Sequence, residues 1–309
     1  METPSIDVRS ARGRGHVMSP RSLNGPPPER PVRGLDHLLI VAHDLEAARS
    51  TYERLGFRTA PRGRHIGWGT ANYCLMLEQG YLELLGIVDH SQFLNGLDET
   101  LATRGEGLSA AAFAGDDLDR SAGLLRETDV NVGAPQDLQR TIEADSGDLL
   151  PRFQLLHLPR TATPGLPAFI CKHLTPELVW QPGWTDQPNG ARRIAGLTVM
   201  VEDPGAVAVP YADIFGFRSV TNTDNLVTVD CGGCYLRFTD ADGLLALHPQ
   251  ARAFTSPPPQ GPVAMRVEVA DKAHTASVLQ ANGVSFERDR DGPLHVPAAE
   301  AAGVMLDFV

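Results

Sequence analysis

Cysteine is scarce in this chain of 309 residues, which contains four. A disulfide-held scaffold of this length would need more cysteines at closer spacing. Cys74, Cys171, Cys231 and Cys234 are instead expected to be reduced, buried thiols in a reducing compartment. The sequence therefore excludes the disulfide-rich secreted class.

Long apolar runs are missing as well, and so is any surplus of positive charge. No segment approaches the length needed to cross a bilayer, and the region after Met1 lacks the apolar centre of a secretory signal. Lys and Arg number 27 against 38 Asp and Glu, which gives a formal net charge of -11. Proteins that bind a phosphate backbone usually concentrate extra Lys and Arg on one face. We expect no membrane partner, no nucleic-acid partner and a cytoplasmic location.

One close pair of cysteines, Cys231-Gly-Gly-Cys234, has the spacing of a redox or zinc motif. A tetrahedral zinc site would need a second pair, and the sequence has none. Two central glycines between the apolar stretches 227–229 and 235–238 favour a β-hairpin. We interpret this motif as a hairpin turn.

The chain does contain one pattern that is repeated four times. Each copy has a short apolar stretch, an aspartate that can cap a helix and a helical stretch, and the first, third and fourth copies close on a turn with glycine. The copies start near Leu35, Gly107, Ile194 and Val263. Internal repetition at a period of roughly 70 residues predicts the architecture before any single residue does.

The first copy shows the plan of one unit. A strand at 38–41 is followed by a helix at 46–55, and further strands are predicted at 57–60, 71–77 and 81–87. One helix covers one face of this βαβββ sheet, so the other face stays open until two units pair. The sequence therefore predicts an α+β fold in which four βαβββ units pair into two cup-shaped mixed sheets.

Composition divides the chain further. Residues 1–31 are rich in Arg, Pro, Ser and Gly without periodic apolar positions, which predicts a disordered N-terminal tail. Turn-forming residues predict a linker at 181–192. We expect an N-terminal cup at 32–180 that carries the ligand site, and a C-terminal cup at 193–309 of two degenerate units.

Several short motifs lie on top of this repeat. They are Leu35-Asp36-His37, Asp44-Leu45, Leu55-Gly56-Phe57, the block 63–72, Tyr81-Leu82-Glu83-Leu84, the stretch 169–177 and Pro188-Asn189-Gly190-Ala191. Together they resemble the vicinal oxygen chelate superfamily, and within it the glyoxalase-like domain proteins. The resemblance covers nearly all of the chain after Arg33. It implies a ligand site on the concave face of a pair of units.

The resemblance also implies that metal ligands occupy the first and last strands of a unit, and His37 and Glu83 match these positions. An imidazole and a carboxylate together suit Zn, Fe(II), Mn, Co or Ni. The paired unit should supply the other half of such a site. When the two units are aligned, Ala110 stands at the position of His37. Neither Ile170 nor Cys171, at the position of Glu83, is a carboxylate.

His173 offers a third metal ligand. Cys171 and His173 have the same parity on the predicted strand 168–173, so His173 faces the cup if Cys171 does. His37, Glu83 and His173 would form a site of two histidines and one carboxylate with open positions, as a catalytic metal requires. In the alternative, His37 and Glu83 bind each other and a polar substrate group without metal, and His173 caps the following turn.

The block 63–72 supplies further candidate residues. Its three glycines let the backbone approach a ligand, while His65, Trp68 and Asn72 add a titratable group, a flat apolar wall and an amide. In the alternative, these residues have structural roles only, Trp68 as a core residue and Asn72 as part of a turn. We predict that Trp68 and Asn72 contact the substrate, and that His65 is a general acid or base.

Three other residues complete the predicted site. Glu83 is expected to act in catalysis beside His65. Arg64 is either an anchor for an anion or a surface charge. Cys171 lies at the seam between units, where pockets are common, and is predicted to contact the substrate as a small buried side chain. A nucleophilic role for this thiol is the alternative.

The C-terminal copies carry fewer such residues. Asp307 matches Glu83 in the fourth copy, but no histidine accompanies it at the position of His37, so we expect a cup-lining or salt-bridging role. His248, His274 and His295 lack ligand spacing and are predicted to lie at the surface. The C-terminal cup is expected to brace the first or to complete an assembly such as a homodimer.

The leading prediction is a small-molecule enzyme of the vicinal oxygen chelate type with lyase or isomerase chemistry. A divalent metal or a polar pair would hold adjacent substrate oxygens and stabilise an enolate or oxyanion while His65 moves a proton. Ring-cleaving oxygenation ranks lower, because ring-cleaving members of the superfamily carry their ligands in the C-terminal pair of units. The alternatives are a protein that sequesters a small molecule without metal, and a structural partner of a larger complex.

Overall fold

The computed structural model describes residues 29–254, 258–288, 290 and 292–309. The predicted disordered tail therefore lies outside the described residues as far as residue 28. No helix in the described ranges is long and apolar enough to cross a membrane. The four predicted repeats are present, each as a βαβββ unit.

The first two units have the same order of elements, and an additional helix lies between them. The first unit consists of β1 (Gly34–Ala42), α1 (Leu45–Arg54), β2 (Gly63–His65), β3 (Thr70–Met76) and β4 (Tyr81–Ile87). The additional helix is α2 (Leu97–Arg104). The second unit consists of β5 (Gly107–Ala114), α3 (Leu118–Glu127), β6 (Gln136–Ile142), β7 (Arg152–His157) and β8 (Ala168–His173).

The last two units repeat this plan, again with a helix between them. The third unit consists of β9 (Ala191–Met200), α4 (Ala208–Phe215), β10 (Val220–Thr223), β11 (Leu226–Asp230) and β12 (Tyr235–Thr239). The helix that follows is α5 (Ala241–Leu247). The fourth unit consists of β13 (Gly261–Val269), α6 (Lys272–Ala281), β14 (Glu287–Arg288), β15 (Leu294–Val296) and β16 (Met305–Phe308).

The repeated aspartate begins a helix in three of the units. The carboxylate of Asp44 accepts hydrogen bonds from the amides of Glu46 and Ala47 at the start of α1. Asp117 and Asp271 do the same for α3 and α6. A capping carboxylate satisfies amides that have no partner within the helix and lies at the positive end of the helix dipole. The capping role expected of the repeated aspartate is confirmed for these three.

The strands of the first two units close into a barrel in the order β1-β4-β3-β2-β6-β7-β8-β5. β1 pairs antiparallel with β5, and β2 pairs antiparallel with β6, so the two units meet at two seams. The third and fourth units form an open eight-stranded sheet that is joined through β9 and β13. The predicted α+β fold with paired units is confirmed. An eight-stranded barrel is wide enough to hold side chains or one small ligand.

One predicted strand is wrong. Residues 57–60 form no strand, and the second strand of the first unit is β2. The amide of Arg58 donates to the Gln187 side chain at 2.8 Å, and the amide of Ala60 donates to the Cys74 carbonyl at 2.8 Å. The consequence is that His65 belongs to a barrel strand.

The Cys231–Cys234 segment is a hairpin turn, as predicted. β11 and β12 pair antiparallel, with Asp230 opposite Tyr235. Gly232 and Gly233 have φ angles of 82° and 96°, which residues with a side chain rarely adopt. Both cysteines are free and buried.

The two halves share one apolar core. The rings of Phe57 and Phe308 stack with centroids 5.9 Å apart, and the Tyr52 hydroxyl donates to the Ala301 carbonyl at 3.3 Å. Within the predicted linker, Asn189 is fully buried. The division at 32–180 and 193–309 stays a prediction.

Candidate functional site

The barrel encloses a cavity of about 500 Å³. Apolar side chains form much of its wall, and three polar side chains, His37, His65 and Arg140, gather around the carboxylate of Glu83. A largely apolar pocket with a few converging polar groups is typical of a small-molecule site. We therefore place the candidate site here.

Strand register brings these four side chains together. Glu83 pairs with Leu39, which is two residues from His37 on β1, and residues two apart point to the same face of a sheet. At the seam between units, His65 of β2 pairs with Arg140 of β6. The first unit therefore supplies three of the polar groups, and the second unit supplies the guanidinium.

A buried carboxylate holds His37 in place. Asp36 Oδ1 lies 2.6 Å from His37 Nδ1 and 3.1 Å from His173 Nε2, so one oxygen serves both imidazoles. The His37 ring also stacks on Tyr81, with centroids 4.3 Å apart. Burial alone would raise the pKa of Asp36, but the hydrogen bonds from His173 and His37 outweigh it and hold the pKa well below its usual value. Asp36 is therefore ionised at neutral pH.

Glu83 is the centre of the cavity cluster. Its Oε2 lies 3.6 Å from His37 Nε2, its Oε1 lies 3.9 Å from His65 Nε2, and Oε1 also accepts a hydrogen bond from Asn72. Burial would raise the pKa of Glu83, but the charges of His37, His65 and Arg140 lower it further than burial raises it. Glu83 is therefore a carboxylate at neutral pH.

His65 is a nearly buried imidazole at the cavity wall. Its Nδ1 lies 2.9 Å from the Thr70 hydroxyl, and the tautomer in which Nδ1 donates to this oxygen has a lone pair on Nε2. Burial lowers the pKa of His65 below its ordinary value of 6.5, and the charge of Glu83 offsets this in part. A neutral imidazole with a free lone pair can accept a proton.

Arg140 is a buried residue of the cavity that the sequence prediction missed. It is 4% exposed, donates to Cys74 Sγ at 3.3 Å, and lies 4.0 Å from Glu83 Oε1. Among the described residues, its Nε has no hydrogen-bond partner. The available signal was an arginine between Leu138 and Ile142, at the inward parity of a strand.

The other predicted substrate contacts occupy different places. Trp68 and Cys171 line the cavity, and Asn72 reaches it through Glu83. Arg64 is exposed on β2, where its Nη1 lies 3.9 Å from Glu143 Oε1. Their roles in binding stay predictions.

The strand pairing shows what stands at the second half of the predicted metal site. His37 pairs with Ala112 and Leu39 pairs with Ala110, so Ala110 is the equivalent of His37 in the second unit. Leu39 pairs with Glu83, and Ala112 pairs with Phe169, so Phe169 is the equivalent of Glu83. The alignment of the two units by sequence puts Ile170 or Cys171 at the position of Glu83. Neither equivalent position offers a metal ligand.

His37 and Glu83 nevertheless fit two ligands of one ion. Ligands about 2.1 Å from an ion are at most about 4.2 Å apart, and His37 Nε2 and Glu83 Oε2 satisfy this limit at 3.6 Å. His37 also binds a carboxylate through its other nitrogen, as metal-binding histidines commonly do. The structure joins His173 to His37 through Asp36, and Asp36, Cys171 and His173 offer three donor atoms within 4.8 Å of one another. As a metal ligand, His173 stays a prediction.

We expect the cysteines of the folded protein to resist alkylation by iodoacetamide at mildly alkaline pH. All four are buried, and burial raises the pKa of the Cys74 thiol to about 11 and that of Cys171 well above its ordinary value. Only the thiolate reacts. Intact mass spectrometry should show four adducts in urea and none in buffer. A native adduct at Cys171 would instead support the nucleophilic alternative.

The C-terminal sheet contains a buried carboxylate of its own, Asp307. His295 Nδ1 lies 2.7 Å from its Oδ1, and His248 Nδ1 and Arg266 Nε lie 3.2 Å and 3.3 Å from its Oδ2. The salt-bridging role predicted for Asp307 is confirmed. The prediction that His248 and His295 lie at the surface is wrong, because Asp307 draws both imidazoles into the core, where they are 0% and 3% exposed.

Comparison with known proteins adds to this geometry. Residues 35–215 match a family described as "Glyoxalase-like domain". A hypothetical protein from Staphylococcus aureus has a similar structure, with a TM-score of 0.60 and 14% identity over 89% of this chain and 98% of that chain. A xylose isomerase-like TIM barrel/4-hydroxyphenylpyruvate dioxygenase fusion protein has a TM-score of 0.54 and 13% identity over 94% of this chain and 50% of that chain. These two likenesses show the fold alone. Among curated proteins, none matches the chain.

Proposed function

Because the match over residues 35–215 makes this chain a member of the glyoxalase-like domain family, within the vicinal oxygen chelate superfamily, we propose that it is a small-molecule enzyme that moves a proton at a carbon beside a carbonyl group. The reaction would be of the isomerase or lyase type. The observation that carries this proposal is the meeting of a neutral imidazole, a carboxylate and a guanidinium at one cavity wall, in His65, Glu83 and Arg140.

His65 is the proton acceptor in this proposal. Its Nε2 lone pair takes the proton from the substrate carbon, and the electron pair of the broken C–H bond moves onto the carbonyl oxygen as an enolate. The Glu83 carboxylate, 3.9 Å away, stabilises the imidazolium that forms. His65 then returns the proton to the same or the neighbouring carbon for isomerisation, or to the leaving group for elimination.

Arg140 provides the positive charge of the site, and His37 adds a polar group beside it. Arg140 keeps its charge, since burial lowers its pKa less than the neighbouring Cys74, Tyr81 and Glu83 raise it. A fixed, buried guanidinium stabilises a developing oxyanion more strongly than water does. Asp36 orients His37 towards Glu83, so its Nε2 is placed to meet the second of two adjacent substrate oxygens.

A divalent metal fits the same proposal. His37 and Glu83 would hold it, and when bound it would supply Lewis-acid polarisation of the substrate oxygens. Ala110 and Phe169 add no ligand, so water or substrate would complete the coordination. Arg140 provides a permanent positive charge 4.0 Å from Glu83, with or without the ion.

Sequestration without catalysis is the second candidate function. Ala110 and Phe169 favour it, because they replace His37 and Glu83 in the second unit and offer no metal ligand. The apolar wall favours it as well, because a cavity of about 500 Å³ is large enough to hold a small molecule by burial alone. This candidate requires binding without any proton transfer. One experiment therefore separates the two functions.

The test is hydrogen–deuterium exchange at carbon. The protein is incubated in D₂O with 2-oxo acids, 2-hydroxy ketones and 1,2-diketones, and the loss of the C–H signal is followed by NMR. The assay is run on chelator-treated protein and after addition of Zn, Fe(II), Mn, Co or Ni, with heat-inactivated protein as control. We expect exchange above the control for at least one class. Binding of these compounds without exchange under every metal condition would contradict the enzyme and support the binder.

A further inference from the structure

The rim of the cavity carries two arginines for which the proposed chemistry has no use. Arg104, at the end of α2, and Arg160, after β7, line the same cavity as His65 and Glu83. Among the described residues, neither guanidinium forms an ion pair with a carboxylate. Glu99 shares the rim, and within the described ranges no ion pair joins it to either arginine.

The two arginines lie far from the proton-transfer groups. Along β1, His37 belongs to the polar cluster, whereas Val41 packs against Leu97 and Leu101 of α2. Four residues of strand span about 13 Å, at about 3.3 Å each. Along β7, Phe153 lies under Arg140, and His157, four residues on, also lines the cavity just before Arg160. Both walls thus separate a polar centre from a basic rim by about the same distance.

Apolar side chains occupy the space between these regions. Leu39 and Val41 of β1, together with Leu155 of β7, line the cavity between the centre and the rim. A ligand that spans the cavity therefore meets a polar group at each end and an apolar wall in the middle. This pattern suits an elongated molecule with an apolar body.

Arg104 is held at the rim by the C-terminal half. Its Nη2 donates to the Pro262 carbonyl at 3.3 Å. Gly261 leaves room for the guanidinium, because a Cβ at that position would overlap it. Burial lowers the pKa of Arg104, and the nearby charge of Arg160 lowers it further. The two cations thus share the rim, and among the described residues no carboxylate is paired with either of them.

We propose that the ligand carries a terminal anionic group, a carboxylate or a phosphate, which Arg104 and Arg160 bind at the rim while its other end reaches His65. Guanidinium groups bind both anions through paired hydrogen bonds, and an anion between the two arginines removes their mutual repulsion. The inference rests on the proposed function in taking this cavity as the ligand site. It adds a substrate class, namely an acid with an apolar body and a reactive carbonyl group at the end away from the charge.

The test is calorimetric binding of defined probes to the full chain. Octanoate and octyl phosphate carry the two anions on one apolar body, and 1-octanol is the neutral match. We expect one of the two anions to bind at least about tenfold more tightly than 1-octanol, and the better anion identifies the group. Equal binding of all three probes would overturn the proposal.

Variants locate the anion. Arg160→Gln and Arg104→Gln should each weaken binding of the better anion by about tenfold and leave 1-octanol binding unchanged. Arg218→Gln is the control, because Arg218 is exposed, contacts Phe217 and does not line the cavity. Arg160→Gln decides the result if Arg104→Gln fails to fold. Anion binding that survives Arg160→Gln would overturn the proposal.

These results separate the two proposals. Rim-dependent anion binding without exchange at carbon would leave the anion site standing and contradict the enzyme. Exchange at carbon together with anion binding that ignores both arginines would do the reverse. His65→Gln should retain the anion binding, because His65 belongs to the polar cluster around Glu83 and not to the rim.

Discussion

His65→Gln should reduce the rate of proton exchange at the substrate carbon by about 10²- to 10⁴-fold, the range that a positioned general base supplies. Glutamine keeps a polar group at the cavity wall but accepts no proton at neutral pH. In the wild-type protein, burial lowers the pKa of His65 below 6.5, so the imidazole is neutral above that pH and becomes protonated as the pH falls through its pKa. The rate should therefore be level near neutral pH and fall on the acid side. NMR exchange rates measured against pH check both points.

Glu83→Gln should shift the pH dependence of the exchange rate, which a purely structural role of Glu83 would not explain. Removing the carboxylate removes the charge that raises the pKa of His65, so the acid limb of the rate profile should move to lower pH while the plateau falls. His274→Gln is the control, since His274 is exposed on α6, does not line the cavity and should leave the profile unchanged. An unchanged plateau in His65→Gln would contradict its role as the base.

Asp36→Asn should lower the free energy of unfolding by about 3 kcal/mol, the lower end of the cost of removing one partner from a buried ionic cluster. Asp36 Oδ1 is the shared acceptor of His37 Nδ1 and His173 Nε2, and an amide replaces its charge with a weaker acceptor. Both imidazoles are packed against aromatic rings, His37 against Tyr81 and His173 against Trp180. Urea denaturation followed by circular dichroism at neutral pH measures the change.

The pH dependence of this loss has a definite sign. The pKa of Asp36 is lowered by folding, so its stabilising effect is complete above the ordinary value of 3.8 and is lost as the pH falls through the lower folded-state pKa. The difference between wild type and Asp36→Asn should therefore shrink in acid. Asp116→Asn is the matched control, because Asp116 pairs with Arg33 at the surface and should change stability by less than about 1 kcal/mol. Equal losses in both variants would contradict the buried role.

The repeat made the fold predictable from the sequence. Apolar stretches, a capping aspartate and a glycine turn are local signals, and most of them recur at equivalent places in the four units. The strand at 57–60 was wrong for a tertiary reason, since the side chain of Gln187, far along the chain, binds the Arg58 amide. Local propensity contains no information about such a partner.

The site was predictable only where one unit carries it. His37, His65, Asn72 and Glu83 belong to the first unit, and the structure brings them together. Arg140 comes from the second unit through the pairing of β2 with β6, a register that the sequence does not specify. The equivalence of Phe169 with Glu83 was missed for the same reason, because it depends on how β5 pairs with β8.

The difference between the closed barrel and the open sheet has a consequence for how copies of the protein meet. A closed barrel presents no unpaired strand, whereas the open sheet ends in β10 and β14. These two strands are four and two residues long, and β14 consists of Glu287 and Arg288, both exposed. Short, polar or charged terminal strands oppose the addition of further strands. The protein should therefore resist fibril-like polymerisation, and any pairing of copies has to use side-chain surfaces instead of shared backbone ladders.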